Sequence, residues 1–196
     1  MTKRLTPTGV RPPMPVAAIE LDVLIAKGKA DPAAVRTLRC RTVAKGRLHQ
    51  LNFVRDLPPQ PVMEDEPGGL LGEDIAPNAS EALLAAFGSC LAIGIHANAL
   101  AQRISIQGLE LDLEADINTT AVWGAGELNP KAIGFEAVRV SVRLEADAPR
   151  ESLEALIRHA TLWSPVANTL HNPVHLDVTL QLAYPNEIEA KAAAHA

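Results

Sequence analysis

The sequence predicts an α+β domain, and three observations predict it. Segments 109–117, 138–144 and 174–182 alternate apolar and polar residues with period two, the pattern of strands with one covered and one wet face. The stretch 78–96 places apolar residues at 83, 84, 87, 91 and 95 and fills the gaps mostly with Ala and Gly, which is helical spacing with no polar face. A second helical pattern, with Leu153, Leu156, Ile157 and Ala160 as its stripe, lies between the last two alternating segments. Helices grouped on one side of an antiparallel sheet make this class.

With 196 residues, 47% hydrophobic and 21% charged, the chain can build one soluble domain with arms at either end. Aromatic residues are 3% and the net charge is −5, which speaks against base-stacking platforms and against a basic nucleic-acid footprint. Two cysteines, Cys40 and Cys90, stand far apart without a CxxC. That suggests neither a disulfide framework nor a zinc site, and a reducing cytoplasm is the expected location. No cofactor is implied, because GxGxxG, GxxxxGK[ST] and GxSxG are all absent. The six histidines form no HxxxH pair on a helix, so no metal site is expected.

Taken in order, residues 1–16 are proline-rich and read as a flexible arm rather than a signal peptide, since no apolar run follows Lys3 and Arg4. Residues 15–29 suggest a short helix, with Leu21, Leu24 and Ile25 on its stripe. Leu38, Cys40 and Thr42 then share one face of a strand, Lys45-Gly46 marks a turn, and 48–54 reads as the returning strand of a hairpin. Residues 56–77, with four prolines before the helix-entry Pro77 and the pair Gly68-Gly69, read as a long loop, either functional or connecting subunits.

Pro77, Asn78 and Ser80 are start signals for the apolar helix, and Glu81 falls in its first turn, where the helix dipole favours an acid. Its strictly apolar part, about 14 residues, suits a buried core helix better than a membrane span. The acidic outer face of 109–117 can pair with Arg139 and Arg143 of the next strand. Pro149 takes a favoured first helical position, and Ser164 is placed to cap a short helix through Leu170. Residues 186–196 are an alanine-rich tail. One sheet face cannot cover a helix that is apolar all round, so a two-fold homodimer is expected.

Cys90 is the strongest candidate for chemistry, against the plain reading of a small buried hydrophobe. Reactivity needs the thiolate, hence a nearby positive charge or a helix N-terminus. Cys90 lies too deep in its helix to profit from the dipole. His96, six residues on, is about 240° round the helix and reads as a satisfied core or interface histidine rather than a base.

Asp65-Glu66-Pro67, Gly68-Gly69 and Ala76-Pro77-Asn78-Ala79-Ser80-Glu81-Ala82-Leu83-Leu84-Ala85-Ala86-Phe87-Gly88-Ser89-Cys90 together resemble the OsmC/Ohr family of osmotically inducible and organic-hydroperoxide-resistance proteins. A second block, Ser164-Pro165-Val166-Ala167-Asn168-Thr169-Leu170, is similar to the family's Cys-Pro-Val-Ser-Asn-Thr-Leu motif. The likeness covers residues 35–184, leaving 1–34 as an N-terminal arm and 185–196 as a tail. It implies antiparallel sheets wrapped around long central helices in an intertwined homodimer, with neither nucleic acid nor membrane as partner.

The resemblance also implies a thiol-dependent peroxidase. The cysteine matching Cys90 attacks an organic hydroperoxide, and the second motif's cysteine captures the sulfenic acid as a disulfide. Here that resolving position is Ser164, which points to a single-cysteine cycle with an external thiol, unless Cys40 substitutes. The family's activating pair is a glutamate and an arginine. Glu81 matches the first loosely, one position closer to the cysteine and about 180° from it on an ideal helix. Arg41, Arg47 and Arg55 are candidates for the second, with Arg47 preferred on position. The alternative is a non-catalytic dimer that binds a small hydrophobic ligand at its interface.

Overall fold

The structure, a computed structural model, describes residues 18–31, 37–45, 49–54, 61–118 and 134–181. Helix α1 (Ala18–Ala30) comes first, followed by strands β1 (Cys40–Lys45), β2 (His49–Val54) and β3 (Val62–Glu64). Helix α2 (Ala79–Ala101), strands β4 (Ile106–Asn118) and β5 (Gly134–Ala146), and helices α3 (Arg150–Leu162) and α4 (Pro165–His171) complete the order. Strands β1-β2-β3 form one antiparallel sheet, and β4 and β5 pair antiparallel as a second.

The β4–β5 register follows directly from the alternation. Leu109 faces Leu144, Leu111 faces Val142, Leu113 faces Val140 and Ala115 faces Val138, so every apolar pair falls on the same side. The other side carries the expected ion pairs. Arg139 donates to Asp116 at 2.5 Å and lies 3.5 Å from Glu114, while Arg143 bridges Asp112 and Glu110. All of these groups are exposed, so they set register and solubility more than stability.

Helix α2 lies on the apolar side. Its 23 residues span roughly 34 Å. Phe87, Leu91, Ile95 and Ala99 form the core with Leu156 and Ala160 of α3. Gly88 permits the close approach to the sheet: a Cβ there would sit 2.9 Å from Leu113 Cδ1. The helix starts at a reciprocal capping box. Asn78 Oδ1 accepts from the Glu81 N–H at 2.9 Å, and the Asn78 N–H donates to Glu81 Oε2 at 2.8 Å, satisfying two orphan donors. Pro149 is the residue before α3 rather than its first helical position.

Other expectations are now set against the structure. The segment expected as a strand at 174–182 forms no ladder over its described part, residues 174–181; Leu176 is 79% and Val178 92% exposed. Helix α2 is not covered all round by its own chain, as one sheet face alone requires: Ile93 on its outer face is 69% exposed. His96 is likewise exposed on that face, so of its two readings, core or interface, the core one is excluded. Finally, the long loop contains β3 and a 3-10 turn, Gly68–Leu70. It folds back on Asp65, which is 2% exposed and whose Oδ2 accepts from the N–H groups of Glu73 (3.0 Å) and Ile75 (3.3 Å). The Asp65 N–H donates to Pro77 O at 3.2 Å, which fixes the entry to α2. The Lys45-Gly46 turn residue Gly46, the proline-rich arm 1–16 and the tail 186–196 lie outside the described residues.

Candidate functional site

Helix α4 brings the two sequence motifs together. The α3–α4 corner is sharp because Pro165, at the first position of α4, lacks the N–H of a continuing helix, and Ser164 caps the new start. Ser164 Oγ accepts from the Ala167 N–H at 3.2 Å. The same oxygen lies 3.2 Å from Cys90 Sγ, across 74 residues of sequence. Ser164 is 3% exposed, and Cys90 is half-buried. Asn168 braces the corner, its Nδ2 donating to Ser164 O at 2.8 Å and to Leu162 O at 2.9 Å.

A cavity of about 300 Å³ adjoins this corner. Phe87, one helical turn before Cys90, supplies one wall, Phe135 and Val138 of β5 another, and Ala167 and Leu170 of α4 a third; Glu136 and His171 are its polar groups. It offers a partly apolar space whose wall Phe87 stands one helical turn from Cys90; neither Cys90 nor Ser164 lines it.

The remaining expected site residues fall elsewhere. Glu81 spends its carboxylate on the α2 cap, at the far end of the helix from Cys90 by nine residues. Arg41 stacks on Phe53, its guanidinium carbon 4.3 Å from the ring centroid. Arg47 and Arg55 lie outside the described residues. Cys40 is exposed on β1, with Thr42 Oγ1 4.0 Å from its Sγ. Among the described residues no group of three or more His, Cys, Asp or Glu side chains could hold a metal ion. Sequence reasoning missed Asp65 as an organising group; its signal was an acid two residues before the Pro67 and Gly68-Gly69 turn.

A family model described as OsmC-like protein matches residues 72–179, more than half of the chain. The chain belongs to the OsmC-like family. Solved structures with the same fold include an OsmC-like protein from Mycoplasma pneumoniae (14% identity, TM-score 0.57, covering 69% of this chain and 88% of that one). An OsmC-like protein from Vibrio cholerae matches at 12% identity and TM-score 0.52, covering 69% of this chain and 94% of its own. An organic hydroperoxide resistance protein from Elizabethkingia anophelis matches at 16% and 0.51, covering 69% and 89%. At these identities the likeness is one of fold. No curated protein matches the chain. Within this OsmC-like fold, Cys90 and Ser164 are the side chains in which the two family motifs meet.

Proposed function

We propose that this OsmC-like protein is a thiol-dependent peroxidase that reduces organic hydroperoxides at Cys90 and completes its cycle with an external thiol. The observation that carries this reading is the Cys90–Ser164 contact at 3.2 Å, with Phe87, one helical turn before Cys90, in the wall of a cavity. A fold neighbour named for organic hydroperoxide resistance supports it. The thiolate of Cys90 attacks the terminal oxygen of the hydroperoxide. The O–O bond breaks, the alkoxide leaves and takes up a proton as an alcohol, and the sulfur is oxidised to a sulfenic acid. Ser164 cannot form a disulfide. One external thiol therefore condenses with the sulfenic acid and releases water, and a second displaces Cys90 from the mixed disulfide, leaving the external thiols as a disulfide.

The reading includes a homodimer. The outer face of α2, the apolar residues Val62 and Met63 of the first sheet and the alternating segment from Val174 to Leu180 are all exposed in one chain, and a second copy would cover them. Sedimentation gives twice the chain mass if this holds and the chain mass if it does not.

Turnover tests the enzymatic part. Cumene hydroperoxide with a small thiol is expected to be consumed catalytically, with a sulfenic-acid probe trapped on Cys90; no consumption and no trapping would refute it. Occupation of the Glu81 carboxylate by the helix cap favours a second reading, a non-catalytic dimer holding a small apolar ligand. Under it, Cys90→Ser leaves the cellular phenotype intact.

A further inference from the structure

We propose that Ser164 is a positioning residue for Cys90: its hydroxyl donates an O–H···S hydrogen bond that holds and favours the thiolate. This rests on Cys90 as the reacting group but adds a role for the residue that stands where a resolving thiol would be. The direction of the bond follows from the donor inventory. A serine hydroxyl has one proton and two lone pairs. The Ala167 N–H, at 3.2 Å, occupies one lone pair. The proton then needs an acceptor, and at 3% exposure water is nearly excluded. Among the described residues, Cys90 Sγ at 3.2 Å is the other polar atom within reach of Ser164 Oγ.

The amide thus orients the hydroxyl, and the hydroxyl orients the sulfur. A hydrogen bond to an anionic acceptor is roughly twice as strong as one between neutral groups, so this donor favours the thiolate over the thiol. It does so at a position too deep in α2 to use the helix N-terminus. The cap and the donor are one atom group, which explains why a serine serves at this corner: it keeps α4 in place and gives its proton to the sulfur.

The test uses the full chain and no peroxide. The rate of Cys90 alkylation by iodoacetamide at one neutral pH is read by peptide mass spectrometry, with exposed Cys40 as internal reference. Ser164→Thr keeps cap and hydroxyl and should alkylate within about twofold of the parent. Ser164→Ala should slow Cys90 about tenfold, the loss expected of one hydrogen bond to a charged group, while Cys40 is unchanged. Ser164→Asp keeps a good cap but supplies only acceptor oxygens, and should slow Cys90 further still. A thermal melt accompanies each variant; if Ser164→Ala does not fold, the comparison of Thr with Asp decides. Parental rates in Ser164→Ala, or in Ser164→Asp, would overturn the role. Peroxide consumption is measured separately: slowed alkylation in the variants with no peroxide turnover in the parent would uphold Ser164 and refute the peroxidase reading.

Discussion

Cys90 and Cys40 are the same residue in two kinds of surrounding. Cys90 sits on a helix whose inner face is core, with a buried hydroxyl at 3.2 Å. Cys40 opens an exposed strand, with a threonine hydroxyl at 4.0 Å. The difference separates exposure from reactivity. An exposed thiol is accessible, yet of the two it is Cys90 that has a buried hydroxyl beside it, and under the proposed function Cys90 is the reacting thiol.

The largest expected effect comes from removing each sulfur in turn. Cys90→Ser should lower hydroperoxide turnover by roughly 10³-fold or more, whereas Cys40→Ser should leave it unchanged; a coupled thiol assay measures both. Next is Leu156→Ala. Leu156 is 1% exposed against α2, so its truncation should cost about 2–5 kcal/mol in denaturant unfolding. It should also loosen the α3–α4 corner and change Cys90 alkylation, while leaving Cys40 alone.

Arg41→Ala acts on the other surroundings. It removes a guanidinium stacked on Phe53 at the surface, worth about 0.5–1 kcal/mol, and should leave turnover at the parental rate. A drop in turnover with Arg41→Ala would instead bring Cys40's sheet into the site.

The smallest effect lies far from both thiols. The Arg139 hydrogen bond holds the Asp116 carboxyl below its ordinary range against an opposing effect of burial, with the charge of Arg139 adding the smallest share. A carboxylate lowered in the folded state adds stability above its unfolded pKa and loses it as pH falls through the folded value. Arg139→Ala should therefore raise the Asp116 titration midpoint in an NMR pH series, with both alkylation rates untouched at neutral pH.

Much of the fold was legible because period-two alternation and the i, i+4 spacing are strong signals: β4, β5, α2 and α3 all follow from them. Strand β3 was not, since its three residues lie just after a proline cluster and are too few for a period to show. Val174, Leu176, Val178 and Leu180 show the limit of such patterns. They alternate as cleanly as Val138, Val140, Val142 and Leu144, yet they are exposed and unladdered, because a pattern states readiness to pair and not the partner. At the site, Cys90 stood out by chemistry. Its nearness to Ser164 did not, because a separation of 74 positions carries no local signal of contact and only a family resemblance linked the motifs. Glu81 was legible as a first-turn acid favoured by the helix dipole and as a loose match to the family's glutamate; its reciprocal cap with Asn78 is the role its hydrogen bonds display.

The most direct measurement is to add one equivalent of cumene hydroperoxide to the reduced protein with a sulfenic-acid probe and to map both thiols by peptide mass spectrometry. Probe on Cys90, a free thiol at Cys40 and no disulfide between them is the result expected. An unmodified Cys90, or probe on Cys40 alone, would contradict it.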